Sequence, residues 1–361
     1  MLVFSMRINA LAGLTQVLAA LVVAGCGGDS DTRTAGPATS GKSASSSEAP
    51  SLVGAGATFP APIYQKWFAD FVKENAGVRV NYQGLGSSAG VNKVVEGTVD
   101  FGASDNAMKD ADIAKVSKGV QLIPATAGAV VLGYNLPELK SPLKLTREAL
   151  VGIFLGKITK WSDPAIAKEN PGAPNTPIGV VRRADGSGTT FVFSSHLAAI
   201  SEDWNKGPGK GSSITWPTGI GAKGNDGVAA QIKQTPGAIG YIEYSYAKSN
   251  GISTALPQNK AGKFVEANAK SGQAGLATIK WDDQLRGWNA DPEGDESYPI
   301  VTYSWLILYR DYGDGNKAKT IRDLVKYSLT KGQAEADALG YLALPTAAAE
   351  RALKALDNVR P

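Results

Sequence analysis

The chain has one cysteine, Cys26, and one histidine, His196, among 361 residues. A single cysteine cannot form an internal disulfide, so we expect packing alone to hold the fold together. The same scarcity excludes zinc sites built from histidine and cysteine. No cluster of carboxylates stands out as a replacement. We therefore predict neither a metal ion nor a cofactor.

Runs of basic residues are also absent. The 37 lysines and arginines exceed the 33 aspartates and glutamates by only four, and they are scattered along the chain. Nucleic-acid-binding proteins usually carry a basic stripe, so this pattern argues against a nucleic-acid partner. A hydrophobic content of 43% with a charged content of 19% favours a packed globular fold.

The one notable apolar stretch lies at the N-terminus. Arg7 is the only charged residue before Asp29, and the apolar run from Leu11 to Val23 ends in small residues. This run is too short to span a bilayer of about 30 Å. A basic start, an apolar stretch and a small-residue cleavage site are typical of a secretory signal peptide. We predict that residues 1–25 are this signal peptide.

Cys26 directly follows the predicted cleavage site. The residues Val23-Ala24-Gly25-Cys26 resemble the lipobox of bacterial lipoproteins, in which the cysteine carries a lipid. The alternative is a plain exported protein with an unmodified thiol. Residues 27–50 contain no aromatic and no large aliphatic side chain, so they cannot bury apolar surface. We predict that residues 26–50 form a lipidated cysteine and a disordered tether.

From about residue 51, short strands alternate with glycine-rich turns and helices. Tyr64, Trp67, Phe68 and Phe71 recur at helical spacing, for example, and are followed by an alternating strand at 78–82. Repetition of this unit predicts an α/β fold with a mostly parallel sheet. Residues 255–297 show no assignable pattern. The other predicted strands are 52–53, 99–101, 129–134, 178–181, 238–242 and 300–309, and predicted helices include 146–155, 189–200, 225–234, 317–330 and 346–356.

Turns rich in glycine, serine and threonine join several predicted strands to helices. Such turns lie at the carboxyl ends of the strands, where open parallel sheets bind ligands. The first N–H groups of a helix lack internal partners and favour anions. Each turn alone is weak evidence, because a serine or threonine before a helix is usually an ordinary helix cap. Together they predict an anion site formed by Ala57-Thr58-Phe59, Gly86-Ser87-Ser88 and Gly186-Ser187-Gly188-Thr189.

The third turn also carries charge, because residues 180–191 read VVRRADGSGTTF. The planar guanidinium of Arg183 matches the geometry of a tetrahedral oxyanion. Asp185 could pair with Arg183 and hold its side chain in place. The alternative is a surface ion pair of little consequence. We expect Arg182 to point to the opposite face of the strand.

An enzyme is the rival class of function. Ser187 lies in a strand-to-helix turn, but its neighbours Gly186 and Gly188 do not give the G-x-S-x-G spacing of a nucleophile elbow. A serine nucleophile also needs a base, and His196 lies in an apolar helical stretch that indicates a structural role. The turn lacks the G-K-[ST] of a P-loop. We therefore predict no catalytic residues.

Six motifs closely resemble those of the phosphate-binding proteins of bacterial phosphate-specific ABC transporters. The resemblance covers the chain from about residue 51 to beyond 310. It implies a two-lobed periplasmic binding protein of type II, with a mostly parallel, helix-flanked sheet in each lobe and the ligand in the cleft between them. The motifs are GAGATFPAPIY (54–64), NYQGLGSSAGV (81–91), VDFGASDNAM (99–108), FLGKITKWSDPAI (154–166), VVRRADGSGTTFVF (180–193) and GAKGNDGVAA (221–230).

The resemblance also implies a function and its partners. The expected activity is high-affinity binding of inorganic phosphate and its delivery to the membrane permease of an ABC importer. We expect a monomer in the periplasm or on the outer face of the cytoplasmic membrane, anchored through Cys26. Lobe I would comprise residues 51–126 and 298–361, and lobe II residues 127–297. Residues 255–297 depart from the family pattern.

Carried over by position, the phosphate site implied by the resemblance includes Asp105. Phosphate near neutral pH keeps at least one proton, whereas sulfate keeps none, so an ionised Asp105 could accept a hydrogen bond only from phosphate. The alternative is a helix-capping aspartate. The full implied set is Ala57, Thr58, Phe59, Ser87, Asp105, Arg183, Ser187, Gly188 and Thr189, with Asp185 supporting Arg183.

Overall fold

A computed structural model describes residues 50–361 of the chain. The predicted signal peptide, the lipidation at Cys26 and the tether up to residue 49 lie outside the described residues. Among the helices of residues 50–361, none combines the length and the apolar character needed to cross a bilayer.

The strands build one large sheet and one small one. The large sheet has the order β2-β1-β3-β11-β4-β8-β6-β7, and β9 joins it beside β4. The small sheet pairs β10 with β5. The strand bounds are β1 Ser51–Gly56, β2 Arg79–Gly84, β3 Phe101–Ser104, β4 Val120–Tyr134, β5 Lys144–Leu145, β6 Gly179–Arg183, β7 Ile220–Ala222, β8 Ala238–Glu243, β9 Ser253–Thr254, β10 Leu256–Pro257 and β11 Val301–Tyr309.

Helices fill most of the connections between these strands. Two 3₁₀ segments, Lys331–Glu335 and Leu356–Asn358, lie near the C-terminus. The helix bounds are α1 Ala61–Glu74, α2 Ser87–Val95, α3 Asp110–Ile113, α4 Arg147–Phe154, α5 Pro164–Ala167, α6 Gly188–Ile200, α7 Glu202–Lys206, α8 Gly224–Gln234, α9 Tyr244–Asn250, α10 Ala269–Leu276, α11 Gly315–Leu329, α12 Ala336–Leu339 and α13 Thr346–Ala355.

The sheet consists of two halves that share β4. In the first half, β1 pairs parallel with β2 and β3, and β11 runs antiparallel between β3 and β4. In the second half, β6 pairs parallel with β7 and β8, and β8 is antiparallel to β4. β4 changes partners at one point, because Ala129 pairs with β11 and Val130 pairs with β8. The predicted α/β architecture is confirmed.

The helices form where the sequence pattern and caps require them. The apolar face of α1 buries Tyr64, Trp67 and Phe68, and the Tyr64 and Phe68 rings stack with centroids 5.4 Å apart. Thr146 caps α4, since its Oγ1 accepts a hydrogen bond from the Ala149 N–H at 3.1 Å. Such a bond satisfies one of the free donors of the first turn.

β4 differs most from its prediction, because it begins at Val120 and not at residue 129. Pro124 lies within the added part and cannot donate a ladder hydrogen bond. The register with β11 shifts between Ser304 and Trp305, opposite this proline. Proline is tolerated in sheets at such irregular positions. A proline that reads as a strand breaker therefore sits inside a long buried strand.

The segment 255–297, which had no assignable pattern, contains β10, α10 and irregular chain. The buried side chain of Asn259 organises it. Its Nδ2 donates to the main-chain carbonyls of Gly294, Asp295 and Ser297, and its Oδ1 accepts from Lys263 N–H at 3.0 Å. Bonds from one side chain to main-chain groups leave no periodic signal in the sequence.

Candidate anion-binding site

The predicted site residues converge at the carboxyl ends of the parallel strands in both halves of the sheet. The turn after β1 carries Thr58, the residue after β3 is Asp105, and the turn after β6 leads into α6. The helices α1, α2 and α6 begin directly after the turns that follow β1, β2 and β6. Their first N–H groups and the positive ends of their dipoles thus point to a common region.

The turn after β1 is fixed by its own main-chain groups. Ala57 donates its N–H to Ala103 O at 2.9 Å, and its carbonyl accepts from Tyr82 Oη at 2.7 Å. Both polar main-chain groups of Ala57 therefore hold the turn. Phe59 is fully buried, and its carbonyl accepts from Tyr341 Oη at 2.6 Å.

Ser87 lies at the contact between the two halves. Its Oγ accepts a hydrogen bond from Gly188 N–H at 3.0 Å and from Asp105 N–H at 3.3 Å. A Cβ on Gly188 would lie 2.5 Å from Ser87 Oγ and 2.7 Å from Asp105 Cβ. Only glycine allows the backbone of α6 to approach the first half this closely.

Asp105 is 2% exposed, and two serine hydroxyls contact its carboxyl. Ser304 Oγ donates to Oδ1 at 2.8 Å, and Ser87 Oγ lies 3.4 Å from Oδ2. Burial raises the pKa of Asp105 to about 7, although these hydroxyls, the charge of Arg183 and Thr189 oppose the shift. The N-cap position of the next helix, α3, is Lys109 and not Asp105, so the helix-cap alternative for Asp105 is wrong.

Arg183 is held by the acid that the sequence suggested. Its Nε donates to Asp185 Oδ1 at 2.7 Å, and its Nη2 pairs with Asp185 Oδ2. The arginine side chain is 1% exposed, so the alternative of a solvated surface pair is also wrong. Burial alone would raise the pKa of Asp185, but the hydrogen bonds and charge of Arg183 and the Gly224 N–H lower it below its ordinary value.

The α6 turn contributes two buried hydroxyls with different partners. Ser187 Oγ caps α6 by accepting from Thr190 N–H at 3.0 Å. Thr189 Oγ1 accepts from Arg183 Nη1 at 3.4 Å and from Asn225 Nδ2 at 3.3 Å. Gly188 N–H, between them, points across to the first half. The structure thus brings all the implied residues together. Two of them also stabilise the local structure, since Ala57 holds the turn after β1 and Ser187 caps α6.

Asn225 was not predicted as a site residue. It is fully buried at the start of α8, and its Nδ2 contacts Thr58 Oγ1 at 2.9 Å as well as Thr189 Oγ1. The signal that could have found it is its turn, Gly224-Asn225, which follows the short strand β7 as the other turns follow their strands. Ser304, on β11, has no comparable signal, because it lies in an apolar strand.

Further contacts join the two halves around these residues. Ser88 N–H donates to Gly186 O at 3.0 Å, and Tyr246 Oη on α9 donates to Thr58 O at 2.6 Å. The site in this structure is therefore closed, with polar groups from both halves within hydrogen-bonding distance of each other.

The arrangement does not provide a base for Ser187. His196 is buried, its Nδ1 lies 2.7 Å from Ala290 O, and its Nε2 has no partner within residues 50–361. Burial lowers the pKa of His196 to about 4, so the ring is neutral at physiological pH. Within the same residues, no group of three histidine, cysteine, aspartate or glutamate side chains could hold a metal ion.

Comparison with known proteins places this geometry in context. The PBP superfamily domain matches residues 39–331. A protein of Pasteurella multocida named phosphate-binding protein PstS is 43% identical over 304 residues, covering 82% of this chain and 87% of the relative. One of the same name from Methanocaldococcus jannaschii is 35% identical over 377 residues, covering 96% and 94%.

Solved structures are similar in fold. A putative phosphate ABC transporter substrate-binding protein from Clostridium perfringens, solved with bound phosphate, aligns with a TM-score of 0.61 at 20% identity, covering 82% of this chain and all of that one. A phosphate-binding protein from Stenotrophomonas maltophilia gives a TM-score of 0.66 at 18% identity, covering 85% and 94%. At these identities the likeness concerns the fold alone.

Proposed function

This chain belongs to the PBP superfamily and, within it, to the PstS phosphate-binding proteins, and from that premise we propose that it is a receptor for inorganic phosphate. It binds one phosphate ion at the closed site described above and delivers it to the permease of an ABC importer. Members of this family bind a substrate and do not transform it, and the chain is not an enzyme.

One observation carries the proposal. Three helix N-termini, a buried arginine and a buried carboxyl converge from both halves of the sheet on one closed site. Helix N-termini and a guanidinium donate hydrogen bonds to an oxyanion. A ligand held from both halves favours the closed state, since it binds that state better. The donors proposed to hold phosphate are Thr58, Phe59, Ser87, Arg183, Ser187, Gly188 and Thr189.

Asp105 supplies the selectivity in this proposal. A phosphate proton and the Asp105 carboxyl share one hydrogen bond, whichever of the two groups carries the proton. Sulfate brings no proton, so an ionised Asp105 would face it with two acceptors and no donor between them. Leaving buried charged acceptors without a donor is costly. The acid therefore admits phosphate and rejects sulfate wherever Asp105 is ionised.

The two-lobe division remains part of the proposal. Lobe I would comprise residues 51–126 and 298–361, and lobe II residues 127–297. The change of partners in β4 at Ala129 and Val130 and the start of β11 at Val301 support these boundaries. Closure would then be a movement of the lobes about the two chain crossings.

The proposed location is extracytoplasmic. The sequence of residues 1–26 supports a cleaved signal peptide and lipidation at Cys26, which would tether a monomer to the outer face of the cytoplasmic membrane. A lipid on Cys26 is directly measurable as added mass on the N-terminal peptide. Its absence in protein isolated from membranes would remove the anchor but not the receptor.

Titration calorimetry of the purified chain tests the receptor. We expect one phosphate bound per chain and far weaker binding of sulfate at pH 8. Incubation with a phosphomonoester distinguishes the rival class, because a receptor releases no product. Failure to bind phosphate, or turnover of the ester, would overturn the proposed function.

A further inference from the structure

We infer that Asn225 is a positioning residue that sets the hydrogen-bond polarity of two site hydroxyls, Thr58 in the first half and Thr189 in the second. This inference rests on the proposed function, because it concerns how the site presents donors to phosphate. Asn225 lies in one of the six family motifs but outside the set of phosphate-site residues that the resemblance implies.

Thr58 shows the effect most directly. Its Oγ1 accepts from the main-chain N–H of Asn225 at 3.1 Å and from Asn225 Nδ2 at 2.9 Å. A hydroxyl has two acceptor lone pairs and one donor proton. With both lone pairs occupied, Thr58 can only use its proton, so it acts as a donor. An anion that carries acceptors on every oxygen is the complementary ligand.

Thr189 is set in the same way. Its Oγ1 accepts from Asn225 Nδ2 at 3.3 Å and from Arg183 Nη1 at 3.4 Å. Its proton is thus also left for an acceptor in the site. One amide group therefore holds hydroxyls from both halves of the sheet in the donor state before phosphate arrives. Such preorganisation lowers the cost of ordering the site on binding.

The amide of Asn225 is itself oriented by the sheet. Its Oδ1 accepts from the main-chain N–H of Glu243, the last residue of β8, at 2.9 Å. An amide that accepts on one atom must donate from the other, so Nδ2 faces the two threonines. The side chain is fully buried, which keeps water from exchanging these partners.

Asn225→Asp is the sharpest test, because it keeps the acceptor for Glu243 N–H and replaces the donor by an oxygen. Thr58 and Thr189 then donate to this introduced oxygen in place of the anion. The introduced carboxylate also repels phosphate, so its effect must be measured again where the hydroxyls are missing. Thr58→Val combined with Thr189→Val provides that background.

Phosphate affinity is measured by calorimetry in all four combinations. If Asn225 acts through the hydroxyls, Asn225→Asp should weaken binding about 10- to 100-fold more in the wild-type background than in the double-valine background, since hydrogen bonds to charged groups are of this strength. Equal losses in both backgrounds would overturn the inference and leave the receptor standing. A wild-type chain that binds no phosphate would overturn both the inference and the proposed receptor function.

Asn170→Asp is the matched control. Asn170 is 1% exposed, its Nδ2 donates to two main-chain carbonyls, and its Oδ1 accepts from Lys144 N–H at 2.7 Å. Its side chain therefore makes three hydrogen bonds, as that of Asn225 does, but contacts no residue of the site. We expect it to change phosphate affinity less than about threefold. If Asn225→Asp fails to fold by circular dichroism, Asn225→Ala enters the same cycle, and equal losses there overturn the inference too.

Discussion

The two halves of the site carry charge in opposite ways. In the second half, the guanidinium of Arg183 forms a two-point ion pair with the carboxylate of Asp185, so the two formal charges cancel. The first half holds Asp105 among hydroxyl groups, and burial moves its pKa to about 7. Neither half offers a net positive charge to an anion. In the proposed receptor, recognition therefore depends on directed donors, with Arg183 donating from one half and Asp105 distinguishing protonated from unprotonated anions in the other.

Replacing Arg183 should have the largest effect on phosphate affinity. Arg183→Ala leaves Asp185 buried without its cation and takes away the only guanidinium among the implied residues. A hydrogen bond from a charged donor contributes about 1.5–3 kcal/mol, so loss of the guanidinium donors should weaken phosphate binding about 10³-fold, measured by calorimetry. Arg182→Ala, one position earlier on the same strand, should change affinity only slightly. Phosphate binding by Arg183→Ala at wild-type strength would remove the arginine from the site.

Removing the acid should erase the difference between the anions. Asp105→Asn keeps an acceptor for the Ser304 hydroxyl and adds an N–H that can donate a hydrogen bond to sulfate. We expect the preference for phosphate over sulfate at pH 8 to fall about tenfold, mainly because sulfate gains affinity, since pH 8 lies one unit above the pKa of about 7. Asp100→Asn, whose carboxylate contacts Lys317 and Val53 N–H, serves as the control. A variant that still rejects sulfate would contradict the proton-sharing account.

A change of pH should alter sulfate binding through the protonation of Asp105, without any mutation. Because the pKa of Asp105 is raised to about 7, the carboxyl is protonated below that pH and can donate to sulfate. We expect sulfate affinity to level off below pH 7 and to fall about tenfold per pH unit above it. Phosphate can supply the proton itself and should change less. Competition titrations from pH 5 to 9 measure this, and a flat sulfate profile would refute it.

Salt should have the smallest effect. Buried groups are screened far less than exposed ones, and the ion pair with Asp185 leaves little net charge to screen. We expect phosphate affinity to change less than about threefold when an inert salt is raised from about 0.05 to 0.5 M. A steep salt dependence would show that long-range attraction outweighs the directed donors.

The sequence predicted the three turns rich in glycine, serine and threonine because they lie at the ends of strands, whereas Asp105 was implied only by the family resemblance. Turns after strands carry a local signature, and the Arg183–Asp185 pair lies two residues apart. Asn225 was missed although its turn follows β7 as the other turns follow their strands, because its contacts with Thr58 and Thr189 join distant segments. Ser304 was missed because it lies in an apolar strand. The extension of β4 through Pro124 was missed for a related reason, since the bulge that accommodates the proline is formed with β11. The conformation of residues 255–297 could not be predicted because single side chains such as Asn259 determine it, and they leave no periodic pattern.

The strand common to both halves has a mechanical consequence. A Cβ at Gly128 would lie 2.8 Å from the ring of Phe59, so the ring of a ligand-side turn rests on β4 next to the place where its partners change. Because the Phe59 ring packs against β4 there, a shift of the turn that carries Thr58 and Phe59 on ligand binding would reach β4 by direct contact, at the point where the strand passes from one half of the sheet to the other.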